Sequence, residues 1–312
     1  MGNTFYFIWE TKLMIWLQSV LGEGFAPMGS FMTRLGEEVV LIAIMGFLYW
    51  SYDKEYGKYV GINILAGCLW NPMVKNVFLR RRPYFDTPAI KCIRPVSPSA
   101  DIYDIAAQGY SFPSGHSMNS AIAYSSIANY KKKKLMWLLA VIIVLMVGFS
   151  RVYLGVHYPT DVCVGWLLGI LTVIIVSLLQ KKVGTGPLLF AVLIASGIPG
   201  LFYCTSDDYY TSFGILIGAA LGVFFEEKFV KFSNTRNVFR MILRLLFGGA
   251  IYFGLNAALK LPFSADFLRS GTVAAHLVRI GRYVIVVFVM LGLYPMLFNL
   301  TDKLFKKKEQ EA

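Results

Sequence analysis

Successive long apolar runs, separated by short polar segments, constrain the fold of this chain more than any other feature. A run of about 20 apolar residues spans the hydrocarbon core of a bilayer as a helix. Because no water is available there, each run must satisfy its backbone N–H and C=O groups by helix formation. Hydrophobic residues make up 56% of the chain and charged residues 15%, against about 25% charge in soluble domains. We therefore predict an all-α, polytopic membrane helix bundle.

We predict nine transmembrane helices, preceded by an amphipathic helix in the membrane interface. Residues 4–22 are apolar but interrupted by Glu10, Lys12 and Gln18, which favours an interfacial position. The spans follow at roughly 38–52, 59–79, 113–130, 135–154, 160–179, 187–203, 213–225, 238–259 and 283–300. The predicted domains are an interfacial helix and turn (1–36), a core (37–183), four additional helices (184–302) and a basic tail (303–312).

The distribution of basic residues predicts the topology. The net charge of +12 comes from 30 Lys and Arg against 18 Asp and Glu. The basic residues lie in short clusters between apolar runs, which indicates anionic lipid rather than nucleic acid as the partner. Loops 53–58, 131–134, 181–183 and 227–237 and the C-terminal tail carry Lys and Arg, so we place them on the cytoplasmic side. Arg80–Arg82 then lie outside, against the rule, and a bound anion would explain them.

Pro113-Ser114-Gly115-His116 opens the third apolar run. Proline suits the first helical position, and the N–H groups of the next three residues then project as an anion site aided by the helix dipole. Gly115 permits close approach to the backbone, and His116 can transfer protons near neutral pH. By itself the tetrapeptide is more often an ordinary helix start.

Lys75 and Arg82-Pro83 form a second polar piece on the predicted outer face. Lys75 and Arg82 are about two helical turns apart, so both can lie on one helix face. Lys75 is inside a predicted span, where a charge points to function. A side chain that snorkels to the interface is the alternative.

A third piece, on the same face, is Ser150-Arg151 followed by His157 and Asp161. His157 and Asp161 are one turn apart at a helix start, so their side chains can meet. An aspartate beside an imidazole fixes its tautomer and leaves the other nitrogen to attack. Helix capping by this pair, and interface anchoring by Arg151, are the alternatives. His276, in a predicted outer loop, matches no piece.

Together the three pieces resemble the signature of the type 2 phosphatidic acid phosphatase superfamily, written here as Lys75-x6-Arg82-Pro83, Pro113-Ser114-Gly115-His116 and Ser150-Arg151-x5-His157-x3-Asp161. The resemblance covers roughly residues 38–180. It implies that His157 is a nucleophile forming a phosphohistidine, that Asp161 orients it, and that His116 protonates the leaving oxygen and then activates water. It also implies a set of phosphate-binding residues: Lys75, Arg82, Ser114, Gly115 and Arg151.

The resemblance further implies a membrane phosphatase that hydrolyses the phosphate or pyrophosphate monoester of a lipid, of the undecaprenyl-pyrophosphate or phosphatidate type. We expect it in a bacterial cell membrane, with the active site outside and the C-terminus inside. Three cations and a helix N-terminus can neutralise phosphoryl oxygens, and the chain has no clustered acidic ligands for Mg²⁺. We therefore predict no cofactor and no metal.

Several alternatives stay open at this stage. A glucose-6-phosphatase-like sugar phosphatase has a similar number of spans and also fits Arg82-Pro83-Tyr84. A transporter is disfavoured because the polar residues gather at one face rather than along a midplane pathway. A haloperoxidase fits a membrane setting and lipid access less well than a phosphatase does.

Two smaller features bear on packing. Gly214, Gly218 and Gly222 share one helix face, which permits close helix packing within the bundle or across a dimer; we favour the bundle and leave the oligomeric state open. Cys92 and Cys204 lie in or near loops, and a disulfide between them requires an oxidising side of the membrane.

Overall fold

The structure, a computed structural model, describes residues 2–300. In that range all regular secondary structure is helical, apart from one isolated bridge between Asn3 and Arg80, which confirms the predicted all-α class. The helices are α1 (Ile8–Leu21), α2 (Ala26–Arg34), α3 (Glu38–Phe47), α4 (Lys54–Phe78), α5 (Pro83–Asp86), α6 (Ile105–Gln108), α7 (Gly115–Lys131), α8 (Lys134–Tyr153), α9 (Pro159–Val183), α10 (Pro187–Gly197), α11 (Asp207–Phe225), α12 (Val238–Ala258), α13 (Ala265–Arg269) and α14 (Val273–Phe288).

Four of the described helical stretches are long and apolar enough to cross a membrane: Lys134–Tyr153, Pro159–Val183, Val238–Ala258 and Val273–Leu300. They support an integral membrane protein, but the predicted count of nine spans is not confirmed. Helix α7 illustrates the reason, because it has 17 residues and carries buried serines at positions 120, 125 and 126. The hydroxyls of Ser120 and Ser125 donate to backbone carbonyls in the preceding turn. These serines lower the mean hydropathy of the helix, although their polar groups are buried and hydrogen-bonded.

The described chain divides into two compact units. The first comprises residues 2–42, 62–178 and 200–206, and the second comprises residues 43–61, 179–199 and 207–300. The first unit contains all the site residues predicted from the sequence. The domain boundaries predicted at residues 36, 183 and 302 stay predictions. The predicted tail 303–312 and the two residues before it lie outside the described residues.

Within the first unit, helix α1 packs against the ends of the helices that carry the third motif. It buries Glu10, Thr11 and Met14, while Trp9 and Trp16 are exposed on other faces. Met14 joins a core cluster with Ile90, Val152, Tyr158 and Val162. This division into a buried and an exposed face arises from the polar interruptions of an otherwise apolar helix, and it brings the carboxyl group of Glu10 inside.

In the second unit, the glycine stripe of α11 packs on α14, which confirms the predicted close packing within the bundle. A Cβ atom at Gly214 would lie 2.6 Å from the carbonyl oxygen of Ile280, and one at Gly218 would lie 2.7 Å from that of Val284. No side chain fits at these positions without separating the two helices.

One expectation about this chain is corrected, and the open question of a Cys92–Cys204 disulfide is answered. His276 is not in a loop: Thr272 caps α14 by accepting the N–H of Ala275, and His276 lies buried in the first turn with its ring stacked 3.7 Å from that of Tyr210. Cys92 and Cys204 do not form a disulfide, because both are free thiols.

Candidate active site

Helix α7 begins at Gly115, two residues later than the predicted start at Pro113. Ser114 is its N-cap: its hydroxyl oxygen accepts from the N–H of Ser117 (3.4 Å) and from the Ser117 hydroxyl (2.9 Å). Pro113 therefore precedes the cap, and the prediction that it is the first helical residue is wrong. A serine oxygen that accepts a first-turn N–H stabilises the helix start more directly than proline does.

The prediction that the N–H of Ser114 projects freely is wrong. This N–H donates to the backbone carbonyl of Asp161 at 3.0 Å, tying the start of α7 to the start of α9. The N–H groups of Gly115 and His116 stay in the first turn, where α-helices provide no internal carbonyl partner. The predicted anion site, called the cradle below, therefore has the N–H groups of Gly115 and His116 but not that of Ser114. It is joined directly to the third motif through Asp161.

Lys75, within α4, and Arg82, beyond its end, both bond to the backbone just before this cradle. Helix α4 ends at Phe78, so the expectation that both side chains share a helix face is wrong. The Lys75 ammonium donates to the carbonyl of Tyr110 at 3.2 Å, and the Arg82 guanidinium donates from Nε to the carbonyls of Gln108 (2.8 Å) and Gly109 (3.1 Å). Both cations therefore converge on residues 108–110.

His157 lies between an acid and a cation. Its Nδ1 is 3.5 Å from Oδ2 of Asp161, and its Nε2 is 3.4 Å from Nη1 of Arg82. The Asp161 carboxylate is fully buried and also accepts the N–H of Tyr158 at 2.8 Å. Arg82 Nη1 donates to the carbonyl of Val156 at 2.8 Å, so the guanidinium is held beside the ring.

Gly155 makes the turn that places His157. Its φ is +79°, a left-handed conformation that glycine adopts without strain. A Cβ atom there would lie 2.1 Å from the carbonyl oxygen of Lys91. The position therefore admits no other residue without moving the loop.

Arg151 is buried at the end of α8, and Nη1 donates to the hydroxyl of Thr33 at 2.7 Å. Thr33 comes from α2 and was not anticipated from the sequence. Asn71 was also missed: a Cβ atom on Gly115 would lie 3.4 Å from its side-chain oxygen, so Asn71 borders the cradle. Neither residue belongs to a motif, and both become relevant only through packing.

The electrostatics of the site favour a neutral nucleophile. Burial lowers the pKa of His157, and the positive charges of Arg82, Arg151 and Lys75 lower it further. A neutral imidazole keeps a lone pair available for attack. The same cations provide a positive field for phosphoryl oxygens. Across residues 2–300, no three acidic, histidine or cysteine side chains are placed to hold a metal ion; metal independence stays a prediction.

Two buried charged residues outside the predicted set also belong to this region. Arg80 donates from Nη1 to Oδ1 of Asp161 at 2.6 Å and from Nη2 to Oε2 of Glu10 at 2.9 Å. The sequence contained a signal for both, since Glu10 interrupts an apolar helix and Arg80 belongs to the cluster that breaks the positive-inside rule.

Two models of known protein families match this chain. A family model described as the PAP2 superfamily matches residues 55–184, and one described as the PAP2 superfamily phosphatase transmembrane extension matches residues 210–307. The chain carries a PAP2 superfamily domain and a PAP2 transmembrane extension. Every predicted site residue lies in the first matched stretch, whereas Glu10 precedes it.

Curated relatives of this chain include proteins named as lipid phosphatases. Phosphatidylglycerophosphatase B of Bacillus subtilis is 45% identical over 83 residues, which are 24% of this chain and 41% of the relative. Undecaprenyl-diphosphatase of Sulfolobus acidocaldarius is 29% identical over 141 residues, 45% of this chain and 63% of the relative. The match thus spans less than two thirds of either relative.

A solved structure also matches this chain: the first transmembrane PAP2-type phosphatidylglycerolphosphate phosphatase from Bacillus subtilis. The two share 27% identity with a TM-score of 0.45, covering 56% of this chain and 85% of the other.

Proposed function

We propose that this protein is a phosphatase that hydrolyses the phosphate or diphosphate monoester of a membrane lipid through a phosphohistidine intermediate. The observation that carries the proposal is the position of His157, with Nδ1 against the Asp161 carboxylate and Nε2 against the Arg82 guanidinium. This arrangement orients a neutral imidazole so that Nε2 faces the group that would hold the phosphoryl oxygens.

In the first step, Nε2 of His157 attacks phosphorus and the bond from phosphorus to the leaving oxygen breaks. His116 donates a proton to that oxygen, which leaves as the alcohol or, from a diphosphate, as the lipid monophosphate. Asp161 stabilises the positive charge that develops on the imidazole. In the second step, His116 takes a proton from water as the water attacks phosphorus, the P–N bond breaks, and inorganic phosphate leaves.

The phosphoryl group itself needs positioning and charge neutralisation more than covalent assistance. Lys75, Arg82 and Arg151 supply three positive charges, and the N–H groups of Gly115 and His116 supply donors at a helix start. The Ser114 hydroxyl is a further donor to the same group. These cations do what a bound metal does in other phosphoryl-transfer sites, so we propose metal-independent turnover.

An apolar groove supports a lipid as the substrate. Trp70, Met73, Val74, Val77, Phe78 and Tyr203 line a cavity of about 270 Å³ in the first unit. The ring of Phe78 lies 4.7 Å from that of Phe112, which immediately precedes Pro113. Apolar surface therefore continues from the groove to the cradle, as a hydrocarbon chain beside a phosphate headgroup requires. The names of the curated relatives support the same substrate class.

We place the active site on the extracytoplasmic face and the C-terminus in the cytoplasm, because the Lys-rich loops fall on the opposite side in sequence order. Cysteine labelling tests this: a membrane-impermeant maleimide should modify Ser99→Cys in intact cells and should not modify Lys133→Cys. Labelling of Lys133→Cys alone would reverse the topology.

The proposed chemistry is tested by phosphate release and by trapping of the intermediate. Purified protein is offered phosphatidylglycerophosphate, undecaprenyl diphosphate and glucose 6-phosphate, and ³²P transfer to the protein is followed in rapid-quench samples. His157→Ala should lose turnover by at least about 10³-fold and should form no acid-labile phosphoprotein. His116→Ala should lose turnover to a similar extent, because His116 donates a proton in the first step and accepts one in the second.

His276→Phe is the matched control, since this third histidine lies in the second unit and an aromatic ring preserves its stacking on Tyr210. It should turn over at the wild-type rate. Near-wild-type turnover in His157→Ala would refute the proposal, and a preference for glucose 6-phosphate over both lipids would replace the lipid substrate with a sugar phosphate.

A further inference from the structure

Arg80 is a buried arginine that the proposed chemistry does not use. Only 2% of its side chain is exposed. The guanidinium bridges two carboxylates, with Nη1 2.6 Å from Oδ1 of Asp161 and Nη2 2.9 Å from Oε2 of Glu10. It also lies over two aromatic rings, 4.0 Å from the centre of Tyr158 and 4.7 Å from that of Phe5. Its plane is therefore held in one orientation.

Glu10 is the second unassigned charge, and it is fully buried. Its Oε1 accepts from the N–H (3.0 Å) and the hydroxyl (2.6 Å) of Thr160, the residue before Asp161. Its Oε2 accepts from the N–H of Phe7 as well as from Arg80. A buried carboxylate with this many hydrogen-bond donors is fixed in position.

We propose that Arg80 and Glu10 are positioning residues that hold Asp161 against His157, so that helix α1 completes the active site. The inference rests on the proposed function in one respect, because it takes His157 as the nucleophile. Helix α1 precedes the stretch that matches the PAP2 family model, so this part of the site is a property of the chain and not of the motifs.

The charges explain why two residues are needed. Arg80 alone would neutralise Asp161 and weaken its attraction for a developing imidazolium. Glu10 offsets the charge of Arg80, so the three groups keep one net negative charge beside His157. Attraction between buried charges a few ångströms apart is strong because little water screens it. Arg80 therefore fixes the geometry of Asp161, while Glu10 preserves its electrostatic effect.

The same residues tie the nucleophile to the phosphate cradle. The carbonyl of Arg80 accepts the N–H of Ser111 at 2.8 Å, and the carbonyl of Asp161 accepts the N–H of Ser114 at 3.0 Å. A displacement of the Arg80–Asp161 pair thus moves both His157 and the start of α7. Positioning of this kind changes the rate of the chemical step more than it changes the binding of the substrate.

The test compares full-length variants on the lipid phosphate that the wild-type protein hydrolyses fastest. Glu10→Gln keeps the side-chain volume and removes the charge. Arg80→Lys keeps the charge and removes the planar guanidinium that bonds both carboxylates. We expect each to lower kcat by about 10- to 100-fold, the range for groups that act on a reacting residue through one intermediary, with KM within about twofold of the wild type. Arg81→Gln is the matched control, because the neighbouring Arg81 pairs with Asp86 on a partly exposed side chain; it should retain the wild-type kcat.

A double-mutant cycle identifies the route of the effect. If Glu10 acts through Asp161, then Glu10→Gln should cost less than about twofold in an Asp161→Asn background, since coupled residues are non-additive. Equal losses in both backgrounds, or a wild-type kcat in Glu10→Gln, would overturn the inference. Thermal unfolding in detergent identifies a variant that has lost its fold.

An NMR readout is independent of turnover. In protein labelled with ¹⁵N-histidine, with the His157 signals assigned from His157→Ala, the Nδ1 resonance should move in Glu10→Gln and in Asp161→Asn but not in Arg81→Gln. An unmoved resonance in Glu10→Gln would overturn the inference. If the resonance moves while the wild type hydrolyses none of the substrates, the proposed function fails and the positioning role stands.

Discussion

Gly165 offers a sharp test of how precisely the cradle must be placed, because a single methyl group there presses on the backbone of the phosphate site. Gly165 lies on α9 and faces the start of α7. A Cβ atom at this position would be 2.8 Å from the carbonyl oxygen of Ser114, 3.2 Å from the Cβ of Ser117 and 3.3 Å from the N of Met118. Since the nearest atom belongs to the backbone, rotation of a side chain cannot relieve the contact.

The size of the effect follows from these distances. Because non-bonded atoms in ordinary contact are about 3.4 Å apart or more, Gly165→Ala must separate the two helix starts by roughly 0.6 Å. Sites tolerate about 0.5 Å, and a displacement of 1 Å costs about 100-fold in rate. We therefore expect kcat to fall about tenfold, which is about 1.4 kcal/mol in the barrier. The fold should change less, because alanine regains about 1 kcal/mol of helix propensity against about 1–3 kcal/mol of overpacking.

The assay is phosphate release from a lipid phosphate, read beside thermal unfolding in the same detergent. Gly249→Ala is the matched control, because a Cβ atom at this helical glycine has open space around it; it should leave kcat unchanged. A Gly165→Ala variant with wild-type kcat and unchanged stability would refute the reasoning, since the cradle would then tolerate the displacement.

Three further predictions concern the chemistry and the bundle. Vanadate should inhibit the purified enzyme and EDTA should leave its turnover unchanged, measured by phosphate release; abolition by EDTA would contradict metal independence. Burial and the nearby cations lower the pKa of His157, so the imidazole stays neutral below the ordinary histidine pKa of about 6.5. The midpoint of the acid limb in the profile of kcat/KM against pH should therefore lie below that value. A midpoint above it would contradict a lowered pKa. Gly218→Val should lower the stability by about 1–3 kcal/mol, because its Cβ would meet the Val284 carbonyl at 2.7 Å, and Gly249→Val should not; equal melting temperatures for the two variants would count against the packing.

Much of the candidate site was predictable because the chemistry of phosphate transfer demands particular residue types at particular spacings. His157 and Asp161 are one helical turn apart, and the structure brings them into contact as that spacing requires. Their proposed roles stay a prediction. The spacing argument was wrong for Lys75 and Arg82, because it extended the helix beyond the predicted span 59–79 as far as Arg82. Lys75 and Arg82 share no helix face, since α4 stops at Phe78, yet both reach the backbone of residues 108–110.

The count of nine spans went beyond what apolar content supports. Hydropathy measures the mean transfer energy of a segment, so a helix that buries serines and asparagines scores poorly even when its polar groups are satisfied inside the protein. Helix α7 is such a case, because Ser117 and Ser120 are fully buried and hydrogen-bonded within the helix. Its length and polarity leave the number of crossings unsettled by composition.

The sequence by itself determined the all-helical class, the membrane setting and the residues of the three motifs, because apolar run length, charge content and local spacing are properties of the chain. Only the tertiary structure decided that the Ser114 N–H is occupied by Asp161 and that Thr33 and Asn71 border the site. It alone decided that Arg80 joins the carboxylates of Glu10 and Asp161. These contacts join residues far apart in the chain, and the burial that makes a distant charge matter exists only once the helices have packed.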